Sequence, residues 1–195
     1  MPRKVLNVGG NNREIAIPKV YDGWAHHLLD IDPAGKPDIV ADARELDKLP
    51  AAGYDAVYCS HNLEHFHSHE VPKVLAGFAH VLNDEGFADI RVPDVGELMK
   101  RVVEQKLDLD AVLYTSPAGP VTPRDVLWGH SISMLRLKNE YFAHKTGFTQ
   151  ALLRKVLAEA GFRKLYFGAG ELEIRAIAFR REPSDEQRGW FSLKG

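Results

Sequence analysis

The sequence predicts an α/β protein: a largely parallel sheet with helices on both faces and a terminal hairpin. Three observations lead to that class. Short apolar stretches alternate with helix-patterned or turn-rich segments for most of the chain, the signature of strand–crossover–strand units. The stretches between Leu28 and Pro93 each leave an acidic residue in or beside them, at Asp30, Asp42, Asp55 and Asp89. The last two stretches, Lys164–Phe167 and Leu172–Phe179, follow one another with no helix between them.

Each element has a local reason. Lys4–Val8 is an apolar strand running into Gly9-Gly10, and the crossover over Asn11–Gly23 is cut to a turn or two by Pro18 and Gly23. His26–Ile31 and Pro37–Ala41 are the next strands, parted by a Pro/Gly turn, and Arg44–Leu49 makes a short helix before Pro50. Ala56–Ser60 is a buried strand. Ser68 is expected to cap a helix over His69–Leu82, with Pro72 tolerated in its first turn. Asn83–Gly86 ends that helix ahead of a strand over Phe87–Val92. Asp94 and Glu97 form a capping box before Leu98–Leu107. The prolines and glycines of Thr115–Gly129 argue for an ordered loop or lid, in which Thr122-Pro123 starts a helix of one or two turns. Thr149 caps Gln150–Ala160, which Gly161 closes.

With 195 residues the chain suits one domain: a core domain over 1–181, with 108–148 as an acceptor-side insertion or lid, and a polar tail over 182–195 in which Trp190 and Phe191 can dock. A net charge of −2 gives no footing for nucleic acid, and Arg101, Lys106, Arg124, Arg136, Lys138 and Lys145 read as a solvated face. Cys59 stands alone, which fits a reducing compartment. No stretch reaches bilayer-spanning length and the N-terminus lacks a signal pattern. A soluble cytoplasmic protein with no membrane or nucleic-acid partner is expected.

The chemistry-bearing residues follow the strands. Gly9 and Gly10 allow a tight turn against a ligand, and Asn11 tolerates positive φ where a further glycine would otherwise stand. Asp30 ends a strand about 20 residues beyond Gly9, the spacing at which an acid accepts hydrogen bonds from ribose hydroxyls. Asp32, before Pro33, reads as a turn former. Asp42, with Ala43 and Arg44, follows the third strand, where the carboxylate can accept from an adenine amino group. Each aspartate alone reads as an exposed turn residue. Their repetition at successive strands points to nucleotide-like binding.

These segments resemble a class I S-adenosylmethionine-dependent methyltransferase of the small single-domain, type 11-like group. The matching residues are V-L-N-V-G-G (5–10), L-L-D-I-D-P (28–33), D-I-V-A-D-A-R-E-L-D-K-L-P (38–50), Y-D-A-V-Y-C-S-H-N-L-E-H (54–65), V-L-N-D-E-G-F-A-D-I-R-V-P-D (81–94) and L-L-R-K-V-L-A-E-A-G-F (152–162). The resemblance implies a Rossmann-like seven-stranded sheet with a reversed last strand, and S-adenosylmethionine as cofactor. It also implies that Gly9, Gly10 and Asn11 approach the methionine part, Asp30 and Ile31 the ribose, and Asp42, Ala43 and Arg44 the adenine. Ser60 and His61 would then lie near the transferred methyl. Asn7 and Asn11 differ from the family pattern and motivate an alternative: a non-catalytic relative that binds the cofactor or a partner. A nicotinamide oxidoreductase would need a fuller glycine fingerprint.

On the acceptor side, the loop region and its histidines are expected to meet a small or medium-sized acceptor, with methyl transfer to oxygen. His65 or His144 is the expected base, with His61 and His130 next. His61, His65 and His69 would share a face only on an unbroken helix; Ser68 and Pro72 interrupt it, so no metal site is expected.

Overall fold

The computed structural model describes residues 2–116, 119–137 and 140–193, so the expectations for Pro117, Ala118, Lys138 and the last two residues lie outside it. Seven strands form the main sheet: β1 (Lys4–Val8), β2 (Ala25–Asp30), β3 (Ile39–Val40), β4 (Tyr54–Ser60), β5 (Leu82–Pro93), β8 (Lys164–Gly170) and β9 (Glu173–Phe179). Their spatial order is β3-β2-β1-β4-β5-β9-β8. Neighbours from β3 to β5 pair in parallel, while β9 runs antiparallel to both β5 and β8. The expected seven-stranded sheet with its reversed last strand is therefore present. Because β2 and β3 lie on one side of β1 and β4 and β5 on the other, the strand order reverses at β1, and the crevice beyond its carboxyl end is where such sheets take ligands.

Alternation along the strands sends residues to two apolar layers. One layer holds Leu6, Val8, Val57, Cys59, Ile90 and Val92. It packs under α1 (Val71–Val81) and α5 (Gln150–Glu159) through Leu75, Phe78, Leu153 and Leu157. The opposite layer holds Val5, Tyr58, Phe87, Ile177 and Phe179. It has a thinner cover, because the first crossover supplies only a single 3-10 turn at Lys19–Tyr21. Here α6 (Asp185–Phe191) completes the layer, with Trp190 5.6 Å from Trp24 and Phe191 5.1 Å from Phe87. Residues 185–191 are thus a capped, docked helix rather than a loosely held polar tail.

Other boundaries differ from expectation for local reasons. Helix α1 starts at Val71 with Glu70 as N-cap residue, not with Ser68 capping a helix from His69. Pro72 must sit in the first turn, and the Glu70 carboxylate accepts from the His67 N–H while pairing with Arg44. Helix α2 (Val95–Glu104) begins earlier than Leu98, since Asp94 caps it by accepting from the Glu97 N–H at 3.0 Å. Glu97 turns to Arg101 at 3.0 Å, so the expected box is formed from one side. The Asn83–Gly86 turn lies inside β5 as a register shift against β4. The expected loop over Thr115–Gly129 contains a hairpin, β6 (Tyr114–Ser116) and β7 (Gly119–Val121), then α3 (Pro123–Trp128) with a full Thr122–Asp125 capping box, and α4 (Ser131–Leu137) follows. Among the described residues, no helix is long and apolar enough to cross a membrane.

Candidate functional site

A cleft opens over the carboxyl ends of β1 and β2, with about 970 Å³ of empty space including the open solvent at its mouth. On its β1–β2 side lie Gly9, Asn11, Asp30, Ile31, Asp42, Ala43 and Arg44. The opposite wall is built by His61, Asn62, His65 and Phe66 after β4, and by Tyr141, Phe142 and Lys145 before α5.

Backbone geometry explains the first wall. Gly9 has φ +71°, and a Cβ there would fall 2.1 Å from the Asn62 amide nitrogen, so only glycine allows this approach. Asn11 takes φ +61°, the left-handed conformation expected of it, and its N–H donates to Asp30 Oδ2 at 2.9 Å. The Asp32 N–H donates to Asp30 Oδ1, also at 2.9 Å. Each Asp30 oxygen keeps a lone pair for a ligand hydroxyl. Asp32 caps the following 3-10 turn through the Ala34 N–H, the turn-forming part expected of it. Asp42 accepts the Arg44 N–H at 2.8 Å and its Nε at 3.0 Å. Burial alone would raise the Asp42 pKa, but these hydrogen bonds outweigh it and hold the carboxylate below its ordinary value. Arg44 also reaches Glu70, linking the cleft rim to the start of α1.

Not every expected residue reaches the cleft. Gly10 faces Asn7, whose side chain would meet a Cβ at 2.2 Å, and Ser60 ends β4 without joining the lining. His130 is held at the α3–α4 junction, its Nδ1 2.8 Å from Ser133 Oγ, and is not part of the wall. His144 stands one layer behind, its ring 5.1 Å from His65. Its Nδ1 donates to Val126 O at 2.9 Å, and burial lowers its pKa. His61 has the opposite tendency: burial opposes its charge, yet the hydrogen bond to Glu173 and the nearby Glu64 carboxylate raise its pKa to about 9. His69, which would have joined the helical trio, instead stacks on His67.

The residue this wall turns on is a buried acid. Glu64, within L-E-H, is 1 % exposed and lies behind His61, His65 and His144. The segment before α5 is tied to it: the Lys145 and Thr146 N–H groups donate to Glu64 O at 2.8 and 3.2 Å, and His65 Nδ1 lies 3.1 Å from Ala143 O. An acid enclosed in a motif between two histidines was the available signal. Its third histidine neighbour comes from a distant part of the chain.

The sheet order and its reversed strand define the class I methyltransferase fold. Residues 24–89, from just ahead of β2 to within β5, match the methyltransferase domain family. Solved structures agree on the architecture. A SAM-dependent methyltransferase from Archaeoglobus fulgidus superposes with a TM-score of 0.57 at 17% identity, over 91% of this chain and 86% of that one. A 1,6-didemethyltoxoflavin-N1-methyltransferase from Burkholderia thailandensis, solved with S-adenosylhomocysteine, gives 0.51 at 17% identity over 91% and 70%. An O-methyltransferase family protein from the same organism gives 0.56 at 14% identity, and the chain spans about half (51%) of its length. No curated protein sequence matches the chain significantly.

Proposed function

We propose that the protein transfers a methyl group from S-adenosylmethionine to a hydroxyl oxygen of a small or medium-sized acceptor. The observation that carries this is a cleft at the strand-order reversal with carboxylates on one wall and histidines on the other. The residues present fit the cofactor: Gly9 leaves room for close backbone approach, and Asp30 and Asp42 line the space with acceptor oxygens. When bound, S-adenosylmethionine supplies a sulfonium-activated methyl group. Asp30 then accepts from the ribose hydroxyls, and Asp42 with the Ala43 backbone faces the adenine.

The opposite wall would hold the acceptor, and orientation of a reactant in this way supplies several kcal/mol of barrier reduction, on the order of 7–11 at best. Methylation of a hydroxyl would require its proton to leave. His61 is held protonated by Glu173 and Glu64, so it serves as a cation at the rim rather than as a base. His65, on the wall with His144 behind it, is the group placed to help the proton away.

Calorimetric titration with S-adenosylmethionine and S-adenosylhomocysteine tests the assignment. Saturable binding of both is expected. Asp30→Ala should weaken it by about 10- to 100-fold, the loss of charge-assisted hydrogen bonds. Asp55→Ala should leave it near the wild-type value, because Asp55 serves Lys4 N and Asn83 at the far end of β4. No binding of either ligand would turn the protein into a non-catalytic relative.

A further inference from the structure

Glu64 presents an unbalanced arrangement. It is 1 % exposed, and neither carboxylate oxygen accepts a hydrogen bond among the described residues. His61 supplies a charged neighbour but no hydrogen bond, and burying a carboxylate that accepts no hydrogen bond is costly, a deficit native proteins meet with a donor or an ion. The atoms nearest to it are ring nitrogens: His61 Nδ1 at 3.5 Å and His144 Nε2 at 4.0 Å from Oε1. One donor atom each from Glu64, His65 and His144 lie within 4.8 Å of one another.

The His144 tautomer is set by the backbone. His144 Nδ1 donates to Val126 O at 2.9 Å, which leaves a lone pair on Nε2, the nitrogen turned toward Glu64. His65 Nδ1 lies 3.1 Å from Ala143 O and its Nε2 3.1 Å from His61 O, so ligating an ion through Nε2 would replace the contact with His61 O. His144 Nε2 and Glu64 Oε1 are thus two acceptors 4.0 Å apart, a pair that a cation between them would satisfy. A carbonyl-bound histidine with its second nitrogen free, as His144 has, is the arrangement in which imidazole ligates metals.

We propose that Glu64, His65 and His144 bind one divalent first-row transition ion beside the acceptor end of the cleft. Two imidazoles and a carboxylate favour zinc, cobalt or manganese over magnesium or calcium, which prefer all-oxygen sites. Two donors each about 2.1 Å from a tetrahedral ion stand about 3.4 Å apart. Donor atoms up to 4.8 Å apart therefore have to close by as much as about 1.4 Å when an ion binds. Three protein ligands leave a position open, and His65 connects the ion to the cleft wall. The role of the ion rests on the proposed methyl transfer: it would polarise the acceptor hydroxyl, with His65 a ligand instead of the base and the proton passing to solvent. Its binding does not depend on that reaction.

The test is titration of the metal-stripped full chain with Co2+, followed by visible absorption and calorimetry, with Zn2+ as competitor. One saturable Co2+ site displaced by Zn2+ is expected. Glu64→Gln and His144→Ala should each weaken Co2+ by more than about tenfold, with circular dichroism confirming the fold; if one variant fails to fold, the other decides. His69→Ala should change nothing, since His69 stacks on His67 outside the cluster. The proposal is overturned if no saturable Co2+ site exists, as when His61 alone neutralises Glu64, or if His69→Ala removes the site while Glu64→Gln keeps it. S-adenosylhomocysteine titration of the same metal-free protein separates the two ideas. Cofactor binding without Co2+ binding sinks only the ion, and Co2+ binding without cofactor binding sinks only the methyltransferase reading.

Discussion

Gly9 combines the two reasons a position demands glycine. Its φ of +71° lies in the left-handed region, and a Cβ would overlap the Asn62 side chain as far back as its own Cβ, at 2.8 Å. The conformation alone makes Gly9→Ala cost about 1–2 kcal/mol, before Asn62 is displaced. Urea denaturation should show that loss, and calorimetry should show S-adenosylhomocysteine affinity falling with it; wild-type stability would contradict the geometry. Asn11 was readable in advance, because tolerance of positive φ belongs to the residue type. His144 was also named from the sequence, but its place against Glu64 was not, since it depends on hydrogen bonds between segments far apart in the chain.

Among the elements, helix caps were the most legible features when the capping side chain had no other partner. Thr122 and Thr149, both expected at helix starts, accept an N–H at the third following position; Ser184 does the same at a helix where the sequence predicts a polar tail, and Thr122 and Ser184 complete reciprocal boxes. Ser68 looked equivalent, but a proline and the Glu70 ties moved the helix start past it. The Ser184 cap holds α6, which carries Trp190 into the thinly covered layer. Ser184→Ala should therefore cost about 0.5–2 kcal/mol. Tryptophan fluorescence should shift to the red at lower urea concentration than in wild type, and an unchanged transition would mean that α6 is held by its apolar face alone.

Across the whole molecule, the reversed strand is tied to its parallel neighbour by a charge pair. Asp89, fully buried on β5, accepts from Arg175 of β9 through Nε at 2.9 Å and a terminal nitrogen at 2.8 Å, with the Tyr21 hydroxyl at 3.2 Å. This pair lies inside the sheet, between β5 and β9. It bridges the reversed strand to the parallel part of the sheet. Arg175→Met would leave a buried carboxylate with only the tyrosine, a change that costs about 3–5 kcal/mol. Arg181→Met, which breaks the exposed pair with Asp84, should cost less than about 1 kcal/mol. Urea unfolding of the two variants checks the contrast, and equal losses would refute it.

What the sequence by itself determined about this protein is local and periodic. Apolar stretches set the strands, prolines and glycines set their breaks, and Gly9, Asp30 and Asp42 came at strand ends because a parallel sheet puts its polar residues there. These features depend on sterics and hydrogen bonds within a few residues. Only the tertiary structure decided which distant groups meet: His144 with Glu64, Arg175 with Asp89, Trp190 with Trp24. Each meeting depends on how β4, β5 and β9 pair and on which loop folds over which strand end. A side chain's neighbours across space leave no periodic mark in the chain that carries it.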